Sequence, residues 1–225
     1  MDVGRDLIDH RIVDRNGHDV GRVDDVWVRG EIDRAVIGPI VTGTGALLRQ
    51  FGRMGDWLTW LALHGYPHAA RWREFGWHDI DQLQRPQLVL APRHRDLAAW
   101  SERRKPRHGS EWLYTDLIRL PVCDPGGRRL GVVDVRSTLP EPIPRVCGFL
   151  VAPHPLRRTL GLKRFDSTGE RFAGVRHDTR FLAWTEVTGI HDGAIRCRVP
   201  LASLPLLSAT AQSTAPPMPT RPDPP

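Results

Sequence analysis

Cysteine is scarce in this chain of 225 residues, which holds three: Cys123, Cys147 and Cys197. No two of them have the C-x-x-C spacing that indicates a zinc site. All three lie in the second half of the chain, at positions typical of strands. We interpret them as small buried hydrophobic residues of a protein from a reducing compartment.

Long apolar runs are absent as well. No stretch approaches the roughly 18 uninterrupted apolar residues that suggest a membrane-spanning helix. The N-terminus, Met1-Asp2-Val3-Gly4-Arg5-Asp6, is too acidic for a secretion signal and lacks an apolar core. The sequence therefore predicts a cytoplasmic protein without a transmembrane segment.

The motifs of nucleotide-binding proteins and serine hydrolases are missing. The chain has no G-x-S-x-G elbow. Gly43-Thr44-Gly45 lacks both the third glycine of a dinucleotide loop and the Gly-Lys pair of a P-loop. The sequence therefore predicts a protein that is not an enzyme and takes no cofactor.

Three histidines raise the hypothesis of a metal-dependent enzyme. His64 and His68 stand four residues apart, as zinc-binding pairs on one helix face do, and His78 follows them. The intervening Gly65-Tyr66-Pro67 interrupts a helix, and no acidic third ligand has the spacing of a metalloprotease. We therefore predict no metal site.

Lysine is almost absent, since Lys105 and Lys163 are the only lysines among 32 basic residues. The formal net charge is +6, and the positive surplus lies in the second half and the segment before it. Such a balance favours an anionic partner, such as RNA, phospholipid or an acidic protein face. The predominance of arginine is also typical of a GC-rich genome, which is the alternative explanation.

One stretch of the chain occurs twice, 110 residues apart. Residues 13–24 correspond to residues 123–134, and Asp6-Leu7-Ile8 corresponds to Asp116-Leu117-Ile118. Self-similarity at a fixed offset indicates a tandem duplication, here of one small β unit. The identical pairs within the two stretches are Asp14/Asp124, Gly17/Gly127, Gly21/Gly131, Val23/Val133 and Asp24/Asp134.

Each copy is predicted to contain short strands joined by tight turns. Asn16-Gly17 favours a hairpin turn, and Gly21 indicates a bulge or a close backbone approach in the next strand. Pro39 removes a ladder donor, so its strand is expected to lie at a sheet edge or to carry a kink. A Trp-x-x-Ile/Val motif, at Trp77 and at Trp184, precedes the last strand of each copy.

The repeated aspartates are predicted to be structural, although paired carboxylates can perform acid–base catalysis. Asp14 and Asp124 stand where a turn needs an acceptor for its own amides. Asp24 and Asp134 follow a strand alternation that points them toward solvent.

The repeats divide the chain into four parts. Residues 1–95 form the first domain, with a tryptophan-rich insertion at 53–76. Residues 96–115 form a linker with a short helix that begins at Asp96. Residues 116–206 form the second domain, and the proline-rich tail at 207–225 is predicted to be disordered.

The order of these features resembles the PRC-barrel domain family: a strand, an Asp-x-x-Gly turn, a glycine-containing strand, an apolar strand, a short helical turn and the tryptophan motif. The resemblance covers residues 6–92 and 116–200. It implies a mainly β protein of two tandem antiparallel barrels, each of about six strands. It also implies a binding module, as in photosynthetic reaction-centre H subunits, ribosome maturation factors and archaeal cell-division adaptors.

The tryptophan-rich insertion holds the predicted partner-binding residues. Trp57, Trp60 and Leu61 fall on one side of a helix, and Tyr66 follows. Because tryptophan is enriched in interface hot spots, we predict that these residues and the strand near Pro39 bind an unidentified protein, one setting being a membrane-associated complex. Two alternatives stay open: the stripe packs against a barrel, or it lies in a membrane interface as a peripheral helix.

A basic cluster in the second copy supports an alternative function, that of an RNA-binding or ribosome-maturation factor. Basic side chains interleaved with aromatic ones, here Phe165, Phe172 and Phe181, can hold single-stranded RNA through phosphate contacts and stacking. The alternative is that the phenylalanines point inward and the basic side chains into water. The predicted RNA contacts are Arg157, Arg158, Lys163, Arg164, Arg171 and Arg176.

Overall fold

A computed structural model describes residues 1–31, 34–43, 72–84, 87–91, 110–139, 143–153 and 179–207. Over these ranges the protein is mainly β, as the sequence predicts. Most of the insertion at 53–76, the predicted linker helix and nearly all of the tail lie outside the described residues.

The first half of the chain begins with a one-turn helix, α1 (Val3–Asp6), and continues with seven strands in the described ranges. A 3-10 turn at Trp77–Asp79 precedes the sixth strand. The strands are β1 (Arg11–Val13), β2 (Asp19–Arg22), β3 (Asp25–Glu31), β4 (Arg34–Thr42), β5 (Arg73–Phe75), β6 (Ile80–Gln84) and β7 (Gln87–Leu90).

The second half repeats this order. A short strand and a one-turn helix, α2 (Tyr114–Leu117), come first, and a 3-10 turn at Trp184–Glu186 precedes the hairpin that corresponds to β6 and β7. The strands are β8 (Glu111–Leu113), β9 (Pro121–Cys123), β10 (Arg129–Ser137), β11 (Val146–Ala152), β12 (Arg180–Ala183), β13 (Val187–His191) and β14 (Ala194–Cys197).

The strands form three sheets, in the orders β2-β1-β7-β6, β5-β4-β3-β8 and β12-β11-β10-β9-β14-β13. The ladders between the described strands leave each sheet open rather than closed into a barrel. One ladder in each half, β1–β7 and β9–β14, is parallel, which corrects the expectation of wholly antiparallel pairing. β7 is the second strand of the β6–β7 hairpin, and the hairpin therefore sets its direction beside β1.

Strand pairing recurs in the two halves. Ile12 pairs with Leu88 in the β1–β7 ladder, and Val122 pairs with Ile195 in the β9–β14 ladder. The hairpins that carry Leu88 and Ile195 share one register, including a shift at the same place. Each Trp-x-x-Ile/Val motif thus forms a 3-10 turn that leads into an equivalent hairpin.

Pro39 lies at a bulge in β4. The β3–β4 register shifts so that Gly38 and Pro39 together stand opposite Trp27. The indole nitrogen of Trp77 donates to the carbonyls of Ile37 and Gly38, at 2.7 and 3.0 Å, and so fixes the bulge. The predicted kink is confirmed, but the predicted sheet edge is wrong, because β4 pairs with β3 on one side and β5 on the other.

One apolar core runs through both halves of the chain. Leu7 and Ile37 from the first half and Phe149, Leu182 and Ile195 from the second belong to the same buried cluster, each with no exposed surface. Burial of apolar surface is the dominant stabilising contribution to folding. The two repeats therefore share their main source of stability.

A smaller cluster covers the opposite face of the β5-β4-β3-β8 sheet. It comprises Trp27, Val41, Trp72 and Leu113. Trp72 comes from the tryptophan-rich insertion and is 1% exposed. The indole nitrogens of Trp27 and Trp72 both donate to Oε1 of Glu74, at 2.7 and 3.0 Å. Trp72 is therefore a core residue.

The two repeats meet around a local two-fold axis. In the β3–β4 and β10–β11 hairpins the ladders align residues that are 109 apart, so the structural counterpart of Asp134 is Asp25 and not Asp24. Val36 is the hairpin partner of Arg29 in the first repeat, and Arg145 is the equivalent partner of Thr138 in the second. Val36 and Arg145 also form an antiparallel bridge with each other. A contact between equivalent residues lies on a two-fold axis, as in a symmetric dimer interface.

Candidate functional site

The segment in front of each repeat lies against the other repeat. β8, which precedes the second repeat, pairs with β3 of the first. Asp2, which precedes α1, forms a bridge with Arg136 of β10 in the second. Helix α1 contacts β10, and helix α2 contacts β3. The junction thus consists of two equivalent contacts, each with an aspartate at its centre.

In the first contact, which we call the Asp134 cap, Asp134 of β10 caps α1. Its Oδ1 accepts hydrogen bonds from the Gly4 amide at 2.7 Å, the Val135 amide at 2.8 Å and the Tyr114 hydroxyl at 3.0 Å. A carboxylate that accepts from an amide in the first turn of a helix satisfies a donor that the helix leaves unpaired. Here the capping residue lies 130 positions from the amide.

In the second contact, which we call the Asp25 cap, Asp25 of β3 caps α2. Its Oδ1 accepts from the Val26 amide at 2.9 Å and the Thr115 amide at 3.2 Å. Its Oδ2 forms a very short hydrogen bond with the Thr115 hydroxyl. Thr115 is the second residue of α2, as Gly4 is of α1. Asp25 has no exposed surface.

Positive charges surround the Asp134 cap. Arg136 donates from Nε to Oδ1 of Asp2 at 2.8 Å, and Arg5 donates from Nε to Oδ1 of Asp6 at 2.7 Å. The hydrogen bond that Arg5 donates to Asp6 raises the pKa of Arg5, and the negative charges of Asp6, Asp2 and Asp134 add to that effect. The carboxylates of this cap therefore lie among arginines that balance their charge.

The equivalent positions of the Asp25 cap carry different residues. The two helices begin 111 residues apart, one more than the offset of the sequence repeat, so Asp116, the third residue of α2, stands where α1 has Arg5 and not where it has Asp6. Trp27, the strand partner of Leu113, stands where β10 has Arg136. An acidic and an apolar residue thus replace two arginines.

Burial and charge act in the same direction on Asp25. Burial raises the pKa of the Asp25 carboxyl to about 7, and the negative charge of Asp116 contributes to the rise. Hydrogen bonds from Thr115 and Val26 oppose it without cancelling it. The ionised form is disfavoured because a buried charge loses its hydration.

The prediction that Asp24 and Asp134 point toward solvent is wrong. Asp24 is 7% exposed, and its Oδ2 accepts from the Gly43 amide at 2.7 Å. Asp134 is 2% exposed. Asp24 lies between β2 and β3 rather than within a strand, and Asp134 accepts a hydrogen bond from the Gly4 amide of α1, so strand alternation does not predict the exposure of either residue. The available signal was the apolar neighbours: valines flank Asp134 directly and flank the pair of Asp24 and Asp25.

The prediction for the turn aspartates is confirmed. Oδ1 of Asp14 accepts from the amides of Asn16 and His18, at 2.8 and 2.9 Å. Oδ1 of Asp124 accepts from the Arg128 amide at 2.8 Å. A further hydrogen bond from the Leu201 amide contributes most to lowering the pKa of Asp124.

Two of the three cysteines are buried, as predicted, and Cys147 is partly exposed. Burial raises the pKa of the Cys197 thiol. Its Sγ donates to the carbonyl of Cys123, at 3.5 Å. A protonated, buried thiol is a poor nucleophile, which leaves Cys197 with a packing role.

The predicted partner-binding and RNA-binding residues lie outside the described ranges. These are Trp57, Trp60, Leu61 and Tyr66, together with Arg157, Arg158, Lys163, Arg164, Arg171 and Arg176. His64 and His68 lie outside them as well. His78 is exposed, with Nε2 3.3 Å from Oδ1 of Asp79. Within the described part of the chain, no three His, Cys, Asp or Glu side chains are grouped as metal ligands.

The loop between β10 and β11 exposes apolar side chains, which the sequence had not identified. Leu139 is 68% exposed and Ile143 is 47% exposed. The base of the loop is fixed, because the Thr138 amide donates to the Arg145 carbonyl and the Arg145 amide donates to Oγ1 of Thr138, both at 2.9 Å. Leu206 is the other large apolar residue exposed in the described part.

No protein-family model and no curated protein matches the chain. None of the helices in the described ranges has the length and apolar character that a bilayer crossing requires.

Proposed function

We propose that the protein is a non-enzymatic adaptor of the cytoplasm, whose two PRC-barrel-like units bind a protein partner. The buried aspartates favour a non-enzymatic protein, because their hydrogen bonds join backbone segments of the two repeats and so give them a structural role. The observation that carries the proposal is the pair of exposed apolar side chains, Leu139 and Ile143, on a loop with a fixed base.

This loop differs in sequence from the corresponding hairpin tip of the first repeat. In the first repeat the hairpin ladder continues to its tip, with Gly30 paired to Ala35. In the second repeat a segment of equal length contains Pro140, Pro142 and Pro144, and the ladder ends at the pair of Ser137 and Val146. Proline lacks the amide that a ladder requires.

Leu139 and Ile143 are suited to an interface. Full burial of such a side chain contributes about 1.5–3 kcal/mol, and the Thr138–Arg145 hydrogen bonds reduce the entropy that binding would otherwise cost. We propose that this loop and the predicted stripe at Trp57, Trp60, Leu61 and Tyr66 are the two contact surfaces of the adaptor.

The test is capture of a partner from the native host, followed by affinity measurement with the purified partner. The double variant Leu139→Ser with Ile143→Ser should weaken binding at least tenfold and leave the thermal transition nearly unchanged. The matched control is Leu206→Ser, which removes an exposed apolar side chain elsewhere and should bind like the wild type. The variant Trp57→Ala with Trp60→Ala tests the second surface in the same way.

Three outcomes would oppose the proposal. Unchanged affinity in both double variants would exclude both surfaces. A large loss of stability in the tryptophan variant would identify that stripe as core. A complex that dissociates after ribonuclease treatment, with affinity falling steeply as salt rises, would favour the RNA-binding hypothesis, because release of counterions determines such affinities.

A further inference from the structure

The two oxygens of the Asp25 carboxyl have different surroundings. Oδ1 accepts from two amides, those of Val26 and Thr115, whereas Oδ2 meets the hydroxyl of Thr115. A hydroxyl can accept as well as donate a hydrogen bond. This arrangement suits a neutral carboxyl group, with Oδ1 as its carbonyl and a proton on Oδ2 donated to Thr115.

The elements packed against Asp25 supply little positive charge. From α2, Thr115 and the acidic Asp116 face it. From β4, the paired residue is the apolar Val41. The residue immediately before β3 is the acidic Asp24. An ion pair between β3 and β8 joins Arg29 Nε to Glu111 Oε1 at 3.0 Å, and its two charges offset each other.

We infer that the Asp25 cap is a proton-dependent latch between the two repeats. The latch holds α2 against β3 while Asp25 carries a proton, and it releases α2 when Asp25 ionises. The Asp134 cap has Arg5 and Arg136 beside it, whereas the Asp25 cap has Asp116 and Trp27 at these positions. We therefore expect the release of α2, and not that of α1, to depend on pH.

The direction of the response follows from proton linkage. Release of α2 exposes Asp25 to water, where its pKa returns to about 4. Between that value and the raised pKa of about 7 in the closed state, only the closed state holds the proton. The equilibrium constant for opening should therefore rise about tenfold per pH unit in this interval and level off above it.

Hydrogen exchange of the full chain measures this opening. Amide exchange at residues 114–118, divided by the intrinsic exchange rate at each pH, should increase about tenfold from pH 5 to pH 6 and level off near pH 7. The corresponding ratio for residues 3–7 of α1 should stay constant. A flat profile at residues 114–118, or equal slopes in the two helices, would overturn the inference.

Two substitutions distinguish ionisation of Asp25 from other causes. Asp25→Asn keeps the Oδ1 acceptor but does not titrate, so the slope at residues 114–118 should disappear. Asp116→Arg places an arginine where the Asp134 cap has Arg5, and it should lower the pH at which exchange levels off by at least one unit. Asp134→Asn is the matched control and should keep the wild-type slope at residues 114–118.

A measurement on the wild-type chain does not depend on how the variants fold. The carboxyl carbon of Asp25 should titrate in its NMR chemical shift with a midpoint near pH 7. A midpoint below pH 5 would show that the carboxylate is ionised in the closed state and would overturn the inference.

Discussion

Gly148 lies where β11 approaches β12 most closely. A Cβ atom added at Gly148 would overlap the carbonyl oxygen of Leu182 and lie 3.0 Å from Cα of Ala183. Both are backbone atoms, which a rotamer change does not move away. We expect Gly148→Ala to lower the free energy of unfolding by about 1–3 kcal/mol, measured by urea denaturation.

Gly126→Ala is the control for Gly148→Ala. Gly126 lies in the turn before β10, and its added Cβ would meet Oδ1 of Asp124 at 3.4 Å, an ordinary contact. We expect little change in stability. Equal effects of the two substitutions would show that the close approach of β11 and β12 relaxes at little cost.

Residues whose partners are near in sequence were predictable, and residues with distant partners were not. Asp14 accepts from amides two and four residues away, which a local pattern reveals. Asp25 accepts from Thr115, 90 residues away. Nothing near Asp25 in the sequence identifies that partner, because only the contact between the repeats brings Thr115 to Asp25.

At the scale of elements, the Asp134 cap joins a helix of one repeat to a strand of the other. Asp134→Ala would leave three buried donors without their acceptor: the amides of Gly4 and Val135 and the hydroxyl of Tyr114. Buried donors without acceptors are destabilising, so we expect a loss of at least about 2 kcal/mol in the free energy of unfolding. Chemical denaturation measures it.

Two variants delimit this prediction. Asp134→Asn retains Oδ1 as an acceptor and should lose less stability than the alanine variant. Asp81→Ala removes an exposed aspartate of β6 and should change stability by less than about 0.5 kcal/mol. If Asp134→Ala were as mild as Asp81→Ala, water would have to replace the carboxylate at the junction.

The sequence identified the elements that depend on local patterns. Hairpin turns, the bulge at Pro39 and both tryptophan motifs have strong short-range signals, and they occur at the predicted positions. β8 was missed because it is three residues long and pairs only with β3, far away in the chain. The exposure of Leu139 and Ile143 was not predictable, because both side chains are apolar and only the structure shows them at the surface.

At the scale of the whole molecule, the duplication has produced two units that complete each other. Each repeat receives a capping helix and a strand or bridge from the segment in front of the other. The apolar core passes through both. A repeat taken alone would lose both kinds of contact, so the two should fold together even though they derive from one ancestral unit.

Substitution of Ile37, a fully buried residue of the shared core, tests this coupling. Ile37→Ala should destabilise the protein by about 2–5 kcal/mol, whereas Ile143→Ala, at an exposed position, should change stability little.

If the core is one unit, Ile37→Ala lowers the unfolding midpoint equally for β6–β7 of its own repeat and β13–β14 of the other. Hydrogen exchange of the two hairpins under increasing urea measures both midpoints. A shift confined to β6–β7, or two separate transitions in the wild type, would mean that the repeats unfold independently, because a shared core transmits the loss of a buried side chain to every element that packs on it.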